Sequence, residues 1–104
     1  MTPREVLLAA AVLVEHGWTQ GAGARGRSGK SVLPLGRSAV CWCAIGAIMR
    51  AGDRDCDQMK AAEETLLSLL PDHETIAEWN DAPERTQDEV AIMLRLAAKV
   101  GANR

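Results

Sequence analysis

The sequence predicts an all-α domain: a small bundle of four to five helices around a buried central helix, with one glycine-rich arm or small β-hairpin between the first two helices. Three observations carry this expectation. Seventeen alanines and eleven leucines stand against eleven valines and isoleucines combined, a balance that favours helix over sheet. Apolar residues recur at helical spacing in several separate segments. Between them, Ser38 to Met49 holds no charged side chain, and a helix apolar on every side belongs inside the core.

The first helix is expected over residues 3–16. Thr2 can cap it and Pro3 suits the first helical position, while Val6, Leu7, Ala10, Leu13 and Val14 recur on one face and Gly17 can close it. Residues 18–37 form a basic arm with Gly21, Gly23, Gly26, Gly29 and Gly36 and no acidic residue. Ser28-Gly29-Lys30 is a turn signal, so the flanking stretches can pair as a hairpin. Ser38 can cap a second, central helix running to Ala51, stopped by Gly52. A third helix begins under Asp55 or Asp57, aligns Met59, Ala62, Leu66, Leu69 and Leu70, and ends at Pro71. A short helix is expected over about residues 73–79. Thr86 and Glu89 then fit a capping box for a last helix that buries Val90, Met93, Leu94 and Ala97 and ends at Gly101.

The 104 residues make one domain, 1–104. Composition is 47% hydrophobic and 25% charged, ordinary for a globular chain and wrong for a disordered one. The twelve residues Ser38 to Met49 are too few to span a bilayer, and no apolar leader opens the chain, so a cytoplasmic protein without membrane contact is expected. Net charge is −2, divided as +4 over residues 1–51 and −6 over residues 52–104. Such a dipolar chain can present one charged face to a partner, or pair with a second copy as a homodimer.

Three cysteines, Cys41, Cys43 and Cys56, are an odd number and a poor disulfide framework. With His73 they make four soft ligands, but a C-x-C step within a helix sends its thiols to opposite faces, and no metal or other cofactor is expected. A Cys43 nucleophile would need His73 or His16 as base and Asn80 or Asp81 as orienter. Against it, Cys43 sits in the most apolar segment of the chain, where burial raises a thiol's pKa and blocks substrate.

Better candidates lie outside the core. Arg25, Arg27, Lys30 and Arg37 crowd the arm without a compensating acid, which suits an acidic patch on a protein or, as an alternative, the phosphates of a nucleic acid. It is no P-loop, since five residues rather than four separate Gly23 from Gly29-Lys30-Ser31. In the turn Trp79-Asn80-Asp81, Asn and Asp suit caps and turns, while Trp79 beside Asp81 and Arg85 has the composition of an interface anchor.

Three segments carry a resemblance: His16-Gly17-Trp18-Thr19-Gln20-Gly21-Ala22, then Trp42-Cys43-Ala44-Ile45-Gly46-Ala47, then Ile76 to Pro83 with Arg85-Thr86-Gln87 and Glu89-Val90. In order and spacing the chain resembles a family of short bacterial and phage proteins classed as a domain of unknown function. The resemblance implies a compact domain in which these segments meet, Trp18 and Gln20 among them, and it brings no activity. The expected function is a non-enzymatic interaction module that binds another macromolecule through the arm and the Trp79 turn. A phage or mobile-element accessory protein inhibiting a host defence complex is one version. The alternative is a small enzyme using Cys43 with His73.

Overall fold

The computed structural model describes residues 1–70 and 75–102. The order of elements is α1 (Pro3–His16), β1 (Ala24–Arg25), β2 (Ser31–Val32), β3 (Cys41–Trp42), α2 (Ala44–Gly52), α3 (Cys56–Leu67), α4 (Ile76–Asn80) and α5 (Gln87–Ala102). The all-α expectation is therefore corrected: among the described residues, five helices share the fold with a three-stranded antiparallel sheet of order β2-β1-β3. Ala24 pairs with Val32 on one side and with Trp42 on the other, and Arg25 with Ser31 and Cys41.

The third strand comes out of the stretch expected to start the second helix. Val40 N–H donates to Arg25 O, Trp42 N–H to Gly17 O and Cys43 N–H to Gly23 O, so the backbone of 40–43 is spent on its neighbours. A short apolar run reads alike as buried strand or buried helix, which is why absence of charge mispredicted it. Only from Ala44 does the chain turn helical, with the Cys43 thiol rather than Ser38 as N-cap, accepting from Gly46 N–H at 3.3 Å. That shorter helix has no exposed residue, while Val40, just before β3, is 41% exposed.

Helix α1 begins as its sequence suggests, with Thr2 and Glu5 exchanging backbone and side-chain hydrogen bonds. It packs on α5, α2, α3 and β3, burying Val6, Leu7, Ala10, Ala11 and Val14 against Val90, Leu94 and Ala97 of α5 among others. Two central elements, α1 and α2, thus share the position given to one. Helix α3 starts under Asp55 but ends at Leu67, four residues before Pro71, where Ser68 Oγ bonds to Thr65 O. Helix α4 starts under Thr75, and the first residues expected of it, His73 and Glu74, lie outside the described residues. Thr86 and Glu89 form their capping box, and α5 runs through Gly101 instead of stopping there.

Two glycines are there for proximity. A Cβ on Gly17 would run into the Val40 carbonyl, and one on Gly46 into the Gly23 carbonyl. These contacts press the sheet onto the ends of α1 and α2. No helix among the described residues is long and apolar enough to cross a membrane.

Candidate functional site

The three resembling segments converge on one buried side chain, Asn80, at the end of α4. Its Oδ1 accepts from Trp18 Nε1 at 2.8 Å and from the Ala44 amide, at the start of α2, at 3.0 Å. Its Nδ2 donates to Thr19 O and to Asp81 Oδ1 at 3.1 and 2.9 Å. Gln20 Nε2 donates to the carbonyls of Asn80 and Ala82, both at 2.9 Å, and Asp81 Oδ1 also accepts from Gly21 N–H. One amide thus joins the loop after α1, the start of α2 and the end of α4, because only Asn or Gln offers both donors and acceptor on one short plane.

The turn beside it is equally occupied. Trp79 is 4% exposed, with the Arg85 guanidinium 4.5 Å above its ring. Arg85 Nε donates to Trp79 O and Nη1 pairs with Glu89 at 3.2 Å. Trp79 is therefore turned inward and presents no ring to a partner. Arg25 is likewise committed: its three nitrogens donate to Thr19 Oγ1, Gly29 O and Gln20 O, lashing the hairpin turn to the loop after α1.

Against this knot lies a pocket of about 190 Å3 bordered by Gly21, Ala22, Gly23, Cys43, Ala77 and Asp81. It is smaller than the roughly 300 Å3 at which ligand pockets begin. Burial pushes the Cys43 thiol above its ordinary value, the nearby Asp81 charge adds to this, and the amides of Gly46 and Ile45 oppose it. Among the described residues no imidazole borders the pocket: His16 is exposed at the end of α1 with Nδ1 on Val12 O. His73, the other expected base, lies outside the described residues. Cys41 and Cys43 are not two positions apart on one helix, since one is in a strand and the other is a cap. Cys41 Sγ rests on Arg25 O at 3.7 Å, and Cys56 is exposed at the start of α3. No group of three or more His, Cys, Asp or Glu side chains among the described residues is placed to hold a metal.

The remaining cations form a different feature. Arg27, Lys30 and Arg37, all exposed, line a groove of about 600 Å3 together with Ser28, Ser31 and Ser38. No carboxylate among the described residues lines the groove or makes an ion pair with them. The groove exists because the arm is folded. Gly29, at φ 83°, turns the hairpin, and Gly26 N–H closes it on Lys30 O. Arg50, a residue sequence reasoning passed over, holds the segment just before Arg37: Nη1 donates to Pro34 O and Gly36 O at 3.0 and 2.9 Å, and the guanidinium sits 5.6 Å over Trp42. Trp42 Nε1 reaches the same Pro34 carbonyl. Nothing in its local sequence marks Arg50 for this work, since a basic residue in the last turn of a helix is commonplace. A larger cavity of about 680 Å3 opens between the start of α1, α3 and the end of α5, and none of the candidate binding residues lines it.

Of the ten candidate residues, the structure gathers Trp18, Gln20, Asn80 and Asp81 into the knot. Arg25, Trp79 and Arg85 brace its flanks, and Arg27, Lys30 and Arg37 are left to the groove. No curated protein and no solved structure matches this chain. A family model does, over residues 1–100, the same span that holds the knot and the groove: the chain belongs to the family of unknown function DUF6197.

Proposed function

We propose that the protein is a non-enzymatic interaction module that docks an acidic macromolecule in the groove of Arg27, Lys30 and Arg37. The observation carrying this reading is three exposed cations converging without a carboxylate neighbour among the described residues. Holding like charges together is unfavourable, and an anionic partner removes that repulsion. The rest of the expected binding surface is consumed by the fold, which narrows the contact to the arm. A host defence complex inhibited by a phage or mobile-element accessory protein is one version of the partner, and it rests on the sequence resemblance alone.

The test is affinity capture from native host extract, with and without nuclease, using the wild-type chain and the R27E/R37E variant. Both side chains are exposed, so the variant should keep its stability within about 0.5 kcal/mol. It should lose the partner, whose retention on the wild type should weaken as salt rises. Full-strength binding by the variant would remove the groove from consideration. Native-state alkylation checks the enzyme alternative: Cys56 should react quickly and Cys43 only on unfolding. A Cys43 that reacts fast at neutral pH would favour a catalyst.

A further inference from the structure

The cations of the groove do not stand alone. Val32 lies on one wall, from β2, and Val40 on the other, just before β3. Val40 is 41% exposed. Gly26 runs between the walls: a Cβ there would meet Ser38 O at 3.2 Å and Val32 Cγ1 at 3.7 Å. The result is a cleft of aliphatic walls, rimmed by guanidinium, ammonium and hydroxyl groups, and left open by the missing side chain.

Deepening the proposed reading, and resting on it, we infer that this cleft seats an acidic protein segment bearing an aliphatic side chain. The carboxylates meet Arg27, Lys30 and Arg37, the three serine hydroxyls take up backbone or carboxylate oxygens, and the aliphatic group sits between Val32 and Val40. Such a mixture matches the usual division of a protein interface into an apolar centre and a polar rim. A nucleic acid strand fits less well. Its bases would need aromatic faces, and the chain has only three aromatic residues. Trp42 and Trp79 are buried, and Trp18 is half-buried with its Nε1 committed to Asn80.

The experiment is fluorescence anisotropy on the full chain with four labelled probes. These are a short Glu/Asp peptide with one central Leu, the same peptide with Ser for Leu, a single-stranded oligonucleotide and a duplex one. The Leu peptide should bind most tightly. Affinity should fall about tenfold with the Ser peptide and at least as much with the R27E/R37E variant. Val40→Ser, at an exposed position on the cleft wall, should weaken the Leu peptide and leave the Ser peptide unchanged. Tighter binding of an oligonucleotide, abolished by R27E/R37E, would overturn this inference while leaving a cationic docking groove in place. Equal binding of both peptides would also overturn it, by removing the aliphatic contact. If no probe responds to R27E/R37E, the inference and the proposed function fall together.

Discussion

Asn80 is fully buried and has both faces of its amide in use, toward Trp18 and Ala44 with oxygen and toward Thr19 and Asp81 with nitrogen. Leaving a buried donor without its acceptor costs about 1–3 kcal/mol, and Asn80→Ala strands two of them. The expected loss is about 3 kcal/mol by urea denaturation, large against the 5–15 kcal/mol typical of a folded domain. Asn80→Asp keeps the acceptor but sets a carboxylate against the Thr19 carbonyl and the Asp81 carboxylate, so it should also destabilise, less so at acid pH. A substitution at Arg27 offers the contrast, since its side chain is exposed and makes no ion pair among the described residues. In the sequence, Asn80 and Asp81 read as turn residues, whereas the structure makes Asn80 the last residue of α4 and Asp81 its C-cap. That a turn residue would be reached by a tryptophan 62 positions earlier was beyond any local signal.

At the scale of elements, the charge-free stretch is divided between a strand and a helix, and the boundary falls at Cys43. The thiol caps α2 while the preceding backbone pairs with β1 and the end of α1. Gly46 is the hinge of this arrangement, because α2 touches the Gly23 backbone there with no room for a side chain. Gly→Ala in a helix ordinarily helps by about 1 kcal/mol. Here Gly46→Ala should instead destabilise by about 1–3 kcal/mol, the usual cost of overpacking, because the obstacle is backbone that cannot swing aside. A thermal melt of the variant gives the sign directly. Where periodicity was strong, as in α1, α3 and α5, the helices were legible, and so were the Thr2, Asp55 and Thr86 caps. Capping is a contact between residues three apart, so the sequence shows both partners side by side. Strands of two residues carry no period to detect, and their pairing partners lie up to 18 residues away.

For the whole molecule, charge is managed at the ends of α1. Hydrogen bonds from Thr2 hold the Glu5 carboxyl below the usual carboxylate range, and the Arg95 guanidinium does the same for Glu15, tying α1 to α5 at 2.6 Å. Both groups therefore stabilise the folded state above the carboxylate range. That contribution is lost as pH falls through their lowered values, because the unfolded chain takes up the protons first. Glu63 acts the other way: burial raises its pKa, and protonating it on the way down relieves a penalty. Melting temperatures should thus decline on acidification, and the decline should be smaller in E5Q and E15Q than in wild type. An undiminished decline in both variants would place the acid sensitivity elsewhere.

What the amino-acid sequence determined unaided was made by near neighbours: the amphipathic faces of α1, α3 and α5, their caps (though not that of α2, where Cys43 replaced the expected Ser38), the hairpin turn at Gly29 and the crowding of cations in the arm. The tertiary structure alone decided which of those side chains remain available. Arg25, Trp79 and Arg85 are drawn inward by carbonyls and rings that come within reach only after folding, whereas Arg27, Lys30 and Arg37 are not. The physical reason is that a polar group's partner is chosen by distance in space. In a chain where one buried amide joins the loop after α1, the start of α2 and the end of α4, most of those distances are set by the packing of segments remote in sequence.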